Sequence, residues 1–262
     1  MKYLVKNIKV IIATHKKYQM PNDKLYLPVH VGSLNKDDLG YQKDSEGDSI
    51  SEKNPNYCEL TGLYWAWKNL KADYIGLAHY RRHFASKKKS KDIFKSVLTF
   101  DEADKILNDV DIITPKKRRY FIESLYNHYK HSLYVEPLDV TGDIIKEKYP
   151  EYYKEFNKLK KRTSAHMFNM FIMKKDKLNE YCTWLFDILF TLESKIDIKD
   201  YDTFHARFYG RISELLFDVW LRTKGYSYKE VRVKSMERVN WIKKGTSFLV
   251  AKFFGKKYGK SF

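Results

Sequence analysis

Cysteines, long apolar runs and the common nucleotide motifs are all scarce in this 262-residue chain, and each shortage narrows its function. Only two cysteines occur, Cys58 and Cys182, each inside an apolar-aromatic helical pattern. They suit small core positions, and nothing in their setting points to a disulfide scaffold or a zinc site, so the compartment expected is the cytoplasm. No run approaches the roughly 18–20 apolar residues that span a bilayer. Ile8 to Ala13 is too short for the core of a signal peptide, lacks a small-residue cleavage site and leads straight into Thr14-His15-Lys16-Lys17, so no secretory leader is expected. A Gly-rich P-loop, a G-x-G-x-x-G fingerprint, a serine elbow and H-E-x-x-H are all missing. Acidic residues are outnumbered: 33 Asp and Glu face 50 Lys and Arg, leaving +17. Such a surplus attracts something anionic, whether nucleic acid, nucleotide, acidic glycan or the inner leaflet of a membrane.

With 43% hydrophobic and 16% aromatic residues, the chain is globular and long enough for a sizeable core. Strand patterns alternate with helical ones. Lys9 to Thr14 and Leu25 to Val31 read as strands, Glu59 to Leu70 as a helix, and Asp73 to Ala78 as a strand. Phe100 to Leu107 reads as a helix capped by Thr99, and Asp111 to Pro115 as a strand stopped by proline. Val140 to Tyr149, Glu151 to Leu159, Leu178 to Leu192 and Ile212 to Thr223 are helical, while Met167 to Met173 reads as an apolar strand broken by Asn169. Asp37 to Lys53 is polar and glycine-bearing and reads as a mobile loop. This alternation predicts an α/β fold with a mostly parallel, doubly wound sheet. No repeat and no Gly-, Pro- or Ser-rich linker is visible, so one domain over residues 1–240 is expected, with a helical basic extension over 241–262.

The densest chemistry lies in Asp73-Tyr74-Ile75-Gly76-Leu77-Ala78-His79-Tyr80-Arg81-Arg82. A short buried strand ends in an imidazole, a phenol and two guanidiniums. In an open α/β sheet ligands gather at the carboxyl ends of strands, and adjacent arginines offer planar charged forks to phosphate oxygens. A polar exit paired with surface carboxylates is the competing reading. Asp109-Val110-Asp111 has the form of a metal-binding D-x-D, yet it precedes its strand instead of following it, which favours a plain helix-to-strand loop.

Ile50-Ser51-Glu52-Lys53-Asn54-Pro55-Asn56-Tyr57-Cys58-Glu59-Leu60-Thr61, followed by Tyr64-Trp65-Ala66-Trp67-Lys68-Asn69, resembles the hallmark of bacterial capsular and exopolysaccharide glycosyltransferases once defined only as a domain of unknown function. Asp73 to Arg82 is similar to that family's strand-plus-HYRR signature, with Ala78 where cysteine is often found. Asp111 to Lys116, Tyr126 to His131, His166 to Met173, Arg207 to Leu221 and the tail Phe248 to Phe262 extend the resemblance over essentially the whole chain.

The resemblance implies a GT-A-like glycosyltransferase: a Rossmann-type sheet flanked by helices that binds a nucleotide-sugar and passes the sugar to an acceptor hydroxyl. Thr14, His15 and Lys16 then meet the nucleotide, or merely form a polar turn after an edge strand. Asn54, Tyr57, Glu59 and Thr61 lie at the start of a helix whose free amides suit an anion, with Glu59 and Thr61 equally readable as routine first-turn residues. His79, Tyr80, Arg81, Arg82 and Lys116 suit the diphosphate, Arg207 and Arg211 either the diphosphate or a pairing with Glu214, His166 the sugar or a phosphate, and Asn169 the sugar. Asn169 must find partners in either reading, because a buried unpaired amide costs roughly 1–3 kcal/mol. Glu214 is the first candidate for the base of an inverting transfer, with Asp202 next. His128, Tyr129 and His131 suit the acceptor side or an aromatic helix face.

Cationic side chains stand where a metal motif is expected, so no metal ligand is assigned and no cofactor is required, although manganese or magnesium remains open. The donor implied is a UDP-sugar, with galactose as the hexose. The acceptor implied is a saccharide on a polyprenyl diphosphate at the cytoplasmic face of the plasma membrane. The tail from Trp241, mixing lysines with large apolar groups, suits an anchor on that inner-membrane surface or a helix packed on the domain. A nucleic-acid binder or a non-catalytic glycan-binding module are the alternatives. Scattered lysines and the lack of a recognition helix, zinc finger or RNP pattern argue against nucleic acid.

Overall fold

The structure, a computed structural model, describes residues 6–88, 90–121 and 123–237. The expected tail at 241–262 lies outside the described residues. Two compact units make up the chain. Among the described residues, one comprises 6–116, 168–183 and 226–237, and the other comprises 117–167 and 184–225.

The first unit is built on β1 (Ile8–Thr14), whose apolar run is buried on both sides, as a central parallel strand requires. Ile8, Val10 and Ile12 join a core with Leu25, Tyr26, Phe100, Ala103 and Leu107. Ile11 faces the other way, toward Gly62 of the helix α2 (Leu60–Asn69), where an added Cβ would lie 2.7 Å from Val31 and 3.5 Å from Ile11. Beside β1 run β2 (Tyr26–His30) and β4 (Tyr74–His79), both parallel to it. The short β3 (Gln42–Lys43) extends the sheet beyond β2. On the far side of β4 come β9 (Phe171–Lys174), β6 (Ile112–Pro115) and β10 (Lys229–Val231). β9 is antiparallel to both neighbours, and β6 and β10 pair in parallel. β5 (Arg82–Phe84) turns back on the end of β4 and carries β11 (Val233–Ser235). The expected mostly parallel α/β sheet is therefore present, with β9 as an unforeseen antiparallel insertion.

Two local expectations are corrected. Met167 to Met173 is not one strand: only Phe171–Lys174 is extended, because Phe168 and Asn169 have φ of 78° and 51° and bend the chain before it. Asp37 to Lys53 is not a loose loop either. It contains β3 and the fully buried Asp44, whose carboxylate accepts from Gly32 N–H (2.8 Å), Ser33 N–H (3.1 Å), and the hydroxyls of Ser33 (2.9 Å), Ser51 (2.6 Å) and Thr61 (2.6 Å). That carboxylate pins the loop after β2 to the turn Ser51–Lys53, which leads into α1 (Asn54–Tyr57), and to Thr61 of α2. Gly76 has a backbone reason: a Cβ there would lie 2.6 Å from the Phe171 carbonyl oxygen of β9. The expected Thr99 cap of α3 (Phe100–Ile106) is present, completed by Glu102 into a capping box.

The second unit holds the two-residue strands β7 (Arg118–Arg119) and β8 (Ser164–Ala165), an antiparallel pair. Its helices are α4 (Leu125–Ser132), α5 (Glu136–Lys148), α6 (Pro150–Lys161), α8 (Phe208–Lys224) and the later part of α7 (Lys175–Lys195). Tyr152 stacks on Trp184 with ring centroids 4.6 Å apart, and buried Phe156 fills the space left by Gly142. Among the described residues no helix is long and apolar enough to cross a membrane.

Candidate active site

In the first unit the chain leaving β4 turns tightly, pairing His79 with Arg82 and sending β5 back along the sheet. His79 Nε2 lies 2.5 Å from the Phe168 carbonyl oxygen. A carbonyl only accepts, so Nε2 carries the proton. Burial pulls the His79 pKa below its usual value, Arg82 and Arg81 push the same way, and Glu59 and the Phe168 carbonyl oppose them. The imidazole is thus neutral near pH 7, with the proton on Nε2 and a lone pair on Nδ1.

Phe168 and Asn169 sit directly across from this imidazole. The Arg82 guanidinium lies over the Phe168 ring at 4.7 Å, a cation–π distance. Asn169 is 4% exposed, and its Nδ2 donates to Glu59 Oε1 at 2.7 Å. Glu59 is the N-cap residue of α2, where the helix dipole favours a carboxylate. Cys58, immediately before it, also has a positive φ of 54°. Left-handed backbone at a residue such as Phe costs on the order of 1–3 kcal/mol and collects at functional sites. Here Cys58, Phe168 and Asn169 flank a single carboxylate–amide contact.

Next to it, the end of β1 builds an aromatic and cationic surface. Thr14 is fully buried and closes the turn: its hydroxyl donates to the Lys16 carbonyl (2.7 Å) and accepts from Lys16 N–H (3.3 Å). His15 and Lys16 are exposed. Lys16 Nζ and the Arg81 guanidinium each lie 5.2 Å from the centroid of the Tyr80 ring, which His15 and Tyr18 meet edge-on. Arg81 also reaches Glu237 at 3.5 Å, a half-exposed pair of little energetic weight. Lys116 is exposed just past β6. Asn54 spends its amide on the Cys58 carbonyl (2.7 Å) and the Thr61 hydroxyl (3.0 Å), and Tyr57 is fully buried. Both shape the entry to α2.

The other expected site residues belong to the second unit. His166 and Asp218 are each 1% exposed, with Nδ1 2.6 Å from one carboxylate oxygen and the His166 amide donating to the other at 3.1 Å. Glu214 is half-buried on α8, and Arg211 lies over the Phe204 ring at 4.5 Å. Asp202 caps a single turn, accepting from Phe204 N–H, His205 N–H and His205 Nδ1. Those bonds hold its pKa below the ordinary carboxylate value, the wrong direction for a base near neutral pH. Glu123 is clamped by His128 Nδ1 (3.0 Å) and His131 Nδ1 (2.7 Å), while Tyr129 between them is buried.

For a divalent metal, common in GT-A-like folds, the described residues offer no grouped donor set. Among the described residues no three His, Cys, Asp or Glu side chains are grouped to hold an ion, and Asp109 and Asp111 lie in the turn that enters β6. Sequence reasoning missed Phe168 as a strained anchor, Asp218 as the partner of His166, and Glu59 as the partner of Asn169. A contact between Glu59 and Asn169, 110 positions apart, leaves no mark on a single sequence.

No curated protein matches this chain. Among solved structures, the apo form of WbbM, a bifunctional glycosyltransferase, matches with a TM-score of 0.82 and 31% identity over 88% of this chain. The chain spans 46% of that protein's length. Residues 9–225 match the family described as Domain of unknown function (DUF4422), and the chain belongs to that family.

Proposed function

We propose that this chain is a glycosyltransferase that moves a hexose such as galactose from a UDP-sugar to a lipid-linked saccharide acceptor in capsular or exopolysaccharide synthesis, with inversion at the anomeric carbon. The observation that carries it is the cationic end of β4. His79, Arg81 and Arg82 stand there beside the strained Phe168-Asn169 corner, in a fold shared with a bifunctional glycosyltransferase.

A departing nucleoside diphosphate gains negative charge, and stabilising that charge is the largest demand of the reaction. In this reading Arg81, Arg82 and Lys16 take it up. Tyr80 and Tyr18 give the base or ribose an aromatic surface. Asn169 and the His79 Nδ1 lone pair meet the sugar. Lys116 and Arg211 remain candidates for phosphate contact, and His166 for a sugar or phosphate bond. His128, Tyr129 and His131 are assigned to the acceptor, with Glu123 holding the two imidazoles. Glu214 and Asp202 stand as the bases named on sequence grounds. Attachment to the inner-membrane surface through residues 241–262 is part of the same proposal.

A thermal-shift panel of nucleotides and UDP-sugars, run with and without chelator, tests it. UDP and at least one UDP-sugar are expected to raise the melting temperature, and chelator is expected to leave transfer intact. Activity abolished by chelator and restored by manganese or magnesium would show that the cations do not carry the diphosphate alone.

A further inference from the structure

Three carboxylates compete for the role of base, and the contacts around them differ. Asp202 is consumed by capping donors. Glu214 lies half-buried on the second turn of α8. Glu59 is not among the bases that the sequence suggests, yet it stands in the His79–Arg82 cluster. Its Oε1 accepts from Asn169, its charge acts on His79, and among the described residues it makes no ion pair. An ionised carboxylate has about four acceptor positions, and the Asn169 amide fills one.

The surroundings also fix its direction. The start of α2 holds the Glu59 backbone, Cys58 enters it with a positive φ of 54°, and Asn169 grips one oxygen from a second strained turn. Because Asn169 is a neutral donor, it orients the carboxylate without neutralising it, whereas an arginine partner would make it a weaker base.

We propose that Glu59 is the catalytic base of the transfer; this rests on the glycosyltransferase reading above. The acceptor hydroxyl gives its proton to Glu59 Oε2 while its oxygen forms a bond to the anomeric carbon. The bond from that carbon to the phosphate oxygen breaks, and its electron pair leaves with the nucleoside diphosphate. The proton then passes from Glu59 to solvent, restoring the carboxylate.

Glu59→Gln separates this role from a structural one, because the glutamine carbonyl still accepts from Asn169 while losing the basicity. The full-length chain is assayed for UDP release from UDP-galactose, alongside Glu59→Asp and Glu214→Gln, with UDP affinity and melting temperature measured for each. The expected result is at least a 100-fold loss of kcat in Glu59→Gln, within the range general-base removal gives. UDP affinity and melting temperature should stay near wild type, and Glu59→Asp should recover part of the rate. Wild-type turnover in Glu59→Gln would overturn the proposal and leave Glu59 as a positioning residue for Asn169. A loss confined to Glu214→Gln would overturn it in favour of α8. If neither UDP nor UDP-galactose binds the wild-type chain, the glycosyltransferase reading fails and this proposal falls with it.

Discussion

His79 donates its Nε2 proton to the carbonyl of Phe168 at 2.5 Å, tying the end of β4 to the left-handed corner that enters β9. Phe168 and Asn169 hold φ values that cost energy in isolation, and this bond is one of the contacts that keeps them there. Replacing Asn169 tests the strain directly. Asn169→Ala loses both the tolerance of left-handed backbone and the hydrogen bond to Glu59, while Asn169→Gly loses only the bond. Urea denaturation should place Asn169→Gly about 1 kcal/mol above Asn169→Ala in stability. Equal stabilities would mean that the corner is not strained.

Asp44 predicts a second outcome. Its buried carboxylate accepts from two backbone amides and three hydroxyls, so Asp44→Ala strands several donors at once. A loss of at least about 3 kcal/mol is expected, because hydrogen bonds to a charged group are worth roughly 1.5–3 kcal/mol each. Equilibrium denaturation reads it, and a loss below about 1 kcal/mol would mean the loop after β2 is held by other means.

His83 sets a pH dependence. It is fully buried in β5 with its ring edge-on to Tyr26, and desolvation together with His79 pushes its pKa down to about 4. The folded value lies below the unfolded value of about 6.5. Its contribution is therefore present above pH 6.5 and drains away as the pH falls toward 4. The slope from this one group approaches about 1.4 kcal/mol per pH unit. Comparing wild type with His83→Phe at successive pH values isolates it, since the other histidines lowered by burial, His30, His79 and His128, remain in both proteins. Parallel stability curves would show that His83 does not titrate in this range.

Much of the sheet was legible because its physics is local. The apolar run of β1, the Thr99 cap and the Gly76 strand ending in His79 each announce themselves within a few residues. The antiparallel direction of β9 did not, since an apolar run carries no sign of its direction. Left-handed backbone at Phe168 was equally hidden, as nothing in a phenylalanine favours it. The cationic end of β4 was readable as a cluster of like charge. Its partners were not: Glu59 and Asn169 come from segments that only the folded sheet brings together. Asp44 was hidden for the opposite reason, in that a serine- and glycine-rich stretch around one aspartate reads as solvent-exposed until its donors are seen to converge.

The central claim is that Arg82 and its neighbours hold a nucleoside diphosphate. Titration calorimetry of the full-length chain with UDP, repeated with Arg82→Gln, measures this most directly. The account predicts that UDP binds wild type and that the substitution weakens binding at least about tenfold, the cost of losing a charge-assisted bond of about 1.4 kcal/mol or more. Equal UDP affinity in the two proteins would contradict it.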